Sequence, residues 1–163
     1  MILFYMEGDF IMIKEAVKYP RFSEVDFIKL YCAMNFKNGC SPIIKHHELE
    51  KKLYRFYSLP EFRDLFQDIC PKKDYINPEN SYLNLGVALN TAQLFGLLTP
   101  IQSPGEIRSI ISCDEKMAQE IISSTGAEMV TRMTKLLKSP VMQEIQESGP
   151  TLIKRKDKKT LNN

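Results

Sequence analysis

The sequence predicts a mainly α-helical protein with one small β-hairpin. Apolar residues recur at helical spacing through most of the chain, whereas β-rich runs flank a proline-glycine turn only at Pro104 and Gly105. The chain has 163 residues, of which 44% are apolar and 26% charged. These values are typical of one globular domain and exclude the composition of a disordered protein.

The first element is a strand or an extended arm, because residues 1–13 are rich in β-branched and aromatic side chains. A ragged terminus fits these residues equally well, and translation can start at Met1, Met6 or Met12. Acidic residues interrupt this segment, and no run approaches the roughly 18 apolar residues that a membrane span needs. We therefore expect a cytoplasmic protein that makes no membrane contact.

Two amphipathic helices come next. Ser23 can cap a helix that ends at Asn38 and Gly39, and Ser41 followed by Pro42 is a typical start for a second helix. The second helix places apolar residues inward and a basic set outward, which comprises Lys45, His46, Lys51, Lys52 and Arg55.

A third, short helix should begin at Pro60, and a loop rich in proline and asparagine follows it. We expect the next helix to begin between Pro78 and Ser81, to run to Phe95 and to end at Gly96. This helix is apolar almost all round. One small domain buries only one side of such a helix, so the other side should meet further parts of the chain, a second copy or a partner protein. The protein-interface candidates on that side are Leu83, Val87 and Leu94.

The hairpin is predicted within residues 97–111, on either side of the turn at Pro104 and Gly105. From Asp114 the pattern indicates one long helix, or two helices broken near Gly126. Pro140 should then start a short helix, and the last residues form a basic tail.

Apart from the short helix at Pro60, three helices precede the hairpin, and the one that ends at Gly96 is called the third helix below. These three helices and the hairpin together resemble a winged helix-turn-helix domain. The segment ALNTAQLFGLLTPIQSPGEIRSIIS is similar to the junction of third helix and wing in bacterial MarR-type regulators. The resemblance implies a winged-helix-like core at 23–112 that carries an insertion after the second helix. Around it we expect an N-terminal arm or edge strand at 1–22, C-terminal helices at 113–149 and a basic flexible tail at 150–163.

In a winged-helix regulator, basic side chains bind phosphates and polar side chains of the third helix contact bases. The resemblance therefore implies DNA-contact candidates on the second helix, around the third helix and on the wing: Lys45, Lys51, Lys52, Arg55, Asn84, Thr91 and Arg108. Against this, the third helix contains no lysine or arginine, and the net charge of the chain is only +2.

No catalytic or metal-binding pattern accompanies these elements. His46 and His47 are adjacent and would point about 100° apart on a helix, the cysteines lack paired spacing, and no glycine-rich phosphate loop occurs. We expect neither a metal, nor a cofactor, nor enzymatic activity.

Two functions remain open. The first is a non-catalytic adaptor or assembly subunit that forms a homo-oligomer or binds another protein, as would suit a regulatory or mobile-element defence system. The second is a DNA-binding transcriptional regulator that uses the basic second helix and the wing.

Overall fold

The computed structural model describes residues 21–40 and 43–147, so the predicted N-terminal strand, the cap at Ser41 and the basic tail lie outside the described residues. The described chain is mainly helical with small antiparallel sheets, as the sequence predicted. Its α-helices are α1 (Glu24–Lys37), α2 (His46–Tyr57), α3 (Gly86–Leu94), α4 (Glu115–Ser124), α5 (Ala127–Leu137) and α6 (Pro140–Glu147). Its strands are β1 (Ile43–Lys45), β2 (Pro71–Lys72), β3 (Tyr82–Leu83), β4 (Leu98–Ile101) and β5 (Arg108–Ile111). Two 3₁₀ helices span Pro60–Phe66 and Pro78–Asn80.

Helix α1 is the centre of the core. It begins with a capping box, in which Ser23 Oγ accepts a hydrogen bond from the Asp26 backbone and the Asp26 carboxylate accepts one from the Ser23 backbone. Most of its apolar side chains are fully buried, and α3, α4 and α5 pack against it. The helix is therefore wrapped on several sides rather than on one stripe.

The predicted hairpin is confirmed, with β4 and β5 antiparallel and Leu98 opposite Ile111. Gly105 lies in its turn with φ of +78°, a conformation that favours glycine. The sheet also contains β1, which pairs with β5 so that Ile44 lies opposite Ser109. The helix predicted from Ser41 was therefore wrong at its start: residues 43–45 are extended, and α2 begins at His46.

The start of the predicted helix at 78–95 was also wrong. Between Pro71 and Leu83 the chain forms the ladder of β2 with β3, and α3 begins only at Gly86. Leu83 pairs with Pro71, and Asn84 N donates a hydrogen bond to Cys70 O. These contacts hold the residues just before α3 in an extended conformation. Residues 58–85, called the insertion below, thus connect α2 to α3.

The C-terminal region follows the second of the two predicted alternatives. Gly126 separates α4 from α5 and forms the N-cap of α5. Helix α6 begins at Pro140, as expected for a proline in the first helical turn.

Candidate protein-interaction site

Helix α3 ends at a glycine and buries one of its sides in the core. At its end, Gly96 adopts φ of +78°, and the backbone N–H groups of Gly96 and Leu97 donate to Gln93 O and Ala92 O. The inner side of the helix is fully buried and consists of Ala88, Leu89 and Ala92. The opposite side therefore faces away from the core.

That opposite side, the outer face of α3, consists of Val87, Asn90, Thr91 and Leu94. These residues follow the spacing i, i+3, i+4 and i+7, which places them along one side of a helix. Val87 is 66% exposed and Leu94 is 87% exposed, and no charged residue occurs between Leu83 and Gly105. The outer face is therefore an uncharged surface with an exposed aliphatic side chain at each end.

The two polar side chains of this face, Asn90 and Thr91, differ in whether their hydrogen-bonding groups are available to a partner. Thr91 Oγ1 donates a hydrogen bond to Val87 O at 2.8 Å, so its hydroxyl proton is used within the helix. Asn90 is exposed at the middle of the face. Beyond Leu94, the half-exposed ring of Phe95 extends the apolar surface, with Lys29 Nζ 5.3 Å from its centroid.

Of the three interface candidates, Val87 and Leu94 are exposed and Leu83 is not. Leu83 is fully buried and belongs to β3, so it cannot contact a partner. Asn84 is exposed but precedes α3, so it does not lie on the helix that was predicted to read bases. Gly86 was the signal that could have shown this, because glycine is unfavourable inside a helix and common where the backbone changes direction.

A groove of about 810 Å³ lies between α2, the first turns of α3 and the hairpin turn. All four basic candidates of α2 and β1 line it, namely Lys45, Lys51, Lys52 and Arg55. An equal number of carboxylates line it as well, those of Glu48, Glu50, Glu79 and Glu106. The groove therefore has no net charge from these side chains.

The basic candidates fall into two groups. Glu48 forms ion pairs with Lys45 at 3.7 Å and with Lys52 at 3.2 Å. Arg108 of β5 is bound by Glu106, with Arg108 Nε 2.7 Å from the carboxylate. Lys51 and Arg55 form no ion pair with another residue of the described chain. Among residues 21–40 and 43–147, they are the two candidate cations that form no ion pair with a carboxylate.

His46 was predicted on the basic exterior, and this was wrong. It is 8% exposed, and its Nε2 lies 2.7 Å from Ser109 Oγ, which also accepts a hydrogen bond from Gln93 Nε2 at 2.9 Å. Burial lowers the pKa of His46 below its ordinary value, so the neutral ring is favoured. The simplest pattern has the Ser109 hydroxyl donating to a neutral His46.

This histidine-serine contact ties elements together and is not arranged for catalysis. Ser109 is fully buried on β5, where a substrate cannot reach its hydroxyl. The three side chains join the start of α2, the central strand β5 and helix α3. They hold the hairpin against the two helices.

Two of the cysteines, Cys32 and Cys113, are buried. Burial raises the pKa of the Cys32 and Cys113 thiols above the usual value, which disfavours the nucleophilic thiolate. Within residues 21–40 and 43–147, no three His, Cys, Asp or Glu side chains cluster as metal ligands would. In the same part of the chain, no helix is both long and apolar enough to cross a membrane.

Comparisons with protein-family models, with curated proteins and with solved structures found no match to this chain.

Proposed function

We propose that this chain is a non-catalytic, winged-helix-like adaptor or assembly subunit that acts mainly through protein–protein contacts. The observation that carries the proposal is the uncharged outer face of α3, with Val87 and Leu94 exposed at its ends. Burial of an aliphatic side chain contributes roughly 1.5–3 kcal/mol, so two such side chains on one rigid helix are suitable anchors for a partner.

The topology supports the winged-helix part of the proposal. The elements α1, β1, α2, α3, β4 and β5 follow one another with the insertion at 58–85 between α2 and α3. In the strand order β1-β5-β4, the strand before α2 pairs with the hairpin, which supports the interpretation of the hairpin as a wing. In such a domain α3 occupies the position of the recognition helix.

The chemistry of α3 favours protein over DNA as its partner. A recognition helix in the major groove meets polar base edges and negatively charged phosphates. Here Val87 and Leu94 would face that polar groove, and the helix supplies no cation. A protein surface with apolar pockets removes both side chains from water without this mismatch.

The proposal is tested by affinity purification of the tagged chain from its native cells, with quantification of the proteins that co-purify. The variant Leu94→Lys places a charge on the outer face, and Ile76→Lys is its matched control. Ile76 is 88% exposed and lies in the insertion, so it is not part of the outer face of α3. We expect the wild type and the control to retain the same protein, present in near-stoichiometric amount, and Leu94→Lys to lose it. Equal recovery from all three would contradict the proposal.

DNA binding remains a second candidate function, and one observation favours it. Lys51 and Arg55 lie one turn apart on α2, in the groove beside the hairpin, without a carboxylate partner in the described chain. In a duplex-binding titration at low salt, replacing both residues by alanine should weaken binding. It should also reduce the slope of log affinity against log salt by about 1.8, because two phosphate contacts are lost. A wild type that does not bind duplex at low salt would exclude this candidate.

A further inference from the structure

The absence of charge on the outer face of α3 limits what can pack against it. In a contact about a two-fold axis, each patch meets its own copy, so a patch rich in one charge repels itself. On α2, Lys51 and Arg55 form no ion pair within the described residues, so a two-fold contact through that side would bring these cations together. The outer face of α3 has no charge to bring together and is suited to it.

The order of residues along the face is also suited to self-pairing. Val87 and Leu94 are separated by about 10 Å along the helix axis, with Asn90 near the midpoint. If two copies pack with their α3 helices antiparallel, Val87 of each copy meets Leu94 of the other. A smaller side chain then lies opposite a larger one at both ends.

Asn90 would lie close to the two-fold axis of this arrangement. A side-chain amide contains both donors and an acceptor, so it can form reciprocal hydrogen bonds with the same amide of a second copy. Thr91 adds no competing donor, because its hydroxyl already binds Val87 O. The hydrogen-bonding groups of the Asn90 amide can therefore be satisfied at the centre of the contact without water or a charged residue.

From these observations we infer that the partner on the outer face of α3 is a second copy of this chain, packed with the two α3 helices antiparallel about an axis near Asn90. The inference rests on the proposed protein-contact function and specifies its partner. Phe95 beyond one end, and Ile107, which lines the groove beside Asn90 and is 69% exposed, extend the contact past the short helix.

The interface is small, which determines how the dimer should be detected. The nine residues of α3 span only about 13 Å along the helix axis. A helix this short cannot by itself bury the roughly 800 Å² per partner of a standard interface. We expect a reversible dimer, visible by sedimentation velocity of the full chain over a concentration series from about 1 to about 300 µM.

In the first arm of the experiment, Leu94→Lys is compared with Ile76→Lys. We expect Leu94→Lys to raise the dimer dissociation constant by about tenfold or more, because two like charges approach a dehydrated contact. Ile76→Lys should leave the constant unchanged, since its exposure is the same but it lies off the face. Circular dichroism melts establish that both variants are folded.

The second arm tests the antiparallel geometry. Val87→Glu and Leu94→Lys, each alone, should weaken the dimer, and the two together in one chain should restore much of the lost affinity. In the antiparallel pair, opposite charges then meet at both ends, whereas in a parallel pair like charges would meet. The two substituted positions are too far apart to pair within one helix.

A wild type that stays monomeric at every concentration would overturn the second-copy inference, and so would a dimer that survives Leu94→Lys. Neither result removes the proposed function. That function fails only if the protein recovered from cells is also insensitive to Leu94→Lys. A double variant weaker than either single variant would overturn the antiparallel arrangement.

Discussion

Helices α2 and α3 each bury one side in the core of the same fold, but their outer faces differ. The inner residues Leu53 of α2 and Leu89 of α3 are both fully buried. Outside, α2 carries ion pairs that centre on Glu48, whereas α3 exposes Val87 and Leu94. Each helix thus contributes a fully buried leucine to the core, whereas their outer faces differ in charge.

This difference shows what a charged face and an uncharged face are suited to do. Exposed ion pairs contribute little to stability, with a median of about 0–1 kcal/mol, but they keep a helix solvated and discourage self-association. An exposed aliphatic pair gains free energy only when it is buried by a partner. The comparison therefore supports the proposal that α3 is the helix of the two that contacts a protein partner.

The largest expected effect tests whether the inner faces are equivalent. Leu53→Ala and Leu89→Ala should each lower the free energy of unfolding by about 2–5 kcal/mol, because each leaves a cavity in the core. Urea denaturation measures both, with Val87→Ala as the exposed control on α3, expected within about 0.5 kcal/mol of wild type. If Leu89→Ala cost no more than Val87→Ala, the assignment of inner and outer faces on α3 would be wrong.

A smaller effect tests how α2 sets the start of α3. Glu50 is nearly buried on α2, and its Oε1 accepts a hydrogen bond from Leu85 N, just before α3, at 3.0 Å. Glu50→Ala should lower the free energy of unfolding by about 1–3 kcal/mol, because a buried N–H loses its acceptor. Glu50→Gln keeps an oxygen acceptor and should cost less.

The control for Glu50 is Glu48→Ala on the exposed side of α2, where only surface ion pairs are lost. Its cost should stay below about 1 kcal/mol in the same denaturation assay. Equal losses in Glu48→Ala and Glu50→Ala would mean that the Leu85 hydrogen bond does not stabilise the start of α3.

The smallest expected effect concerns pH at the junction of the two helices. Because burial lowers the pKa of His46 in the folded state, the unfolded chain binds more protons as the pH falls below the ordinary value of 6.5. The contribution of His46 to stability is fully present above that value and declines as the pH falls towards the lowered pKa. Melting curves from pH 8 to pH 5 should therefore show a steeper decline for wild type than for His46→Gln.

His47→Gln is the matched control for this pH dependence. Its side chain is 68% exposed, so the substitution leaves His46 and its contact with Ser109 in place. We expect this control to decline as steeply as wild type. A His46→Gln protein with the wild-type pH dependence would show that the titration arises elsewhere.

Local signals in the sequence were sufficient for several elements. Ser23 with Asp26 started α1, Gly96 ended α3, Gly105 lay in the hairpin turn and Gly126 separated α4 from α5. Each of these depends on a cap or a backbone angle within a few residues. Such features were predicted because no distant part of the chain is needed to form them.

Long-range contacts explain the errors. Residues 43–45 are extended because β1 pairs with β5, more than 60 residues away, and His46 is buried by Ser109 on that strand. Leu83 is held by Pro71 and not by a helix. Helical spacing alone does not show which of these distant pairings outweighs the local preference.

The sequence by itself determined that one segment, Leu83 to Gly105, would be free of charge and too apolar to lie alone in water. Only the tertiary structure decided where its leucines went. Leu83 and Leu94 have the same side chain and shared one predicted helix face, yet Leu83 is fully buried and Leu94 is 87% exposed. The physical reason is that burial depends on which other segments pack against a residue: β2 pairs with β3 at Leu83, whereas no segment of the described chain covers Leu94.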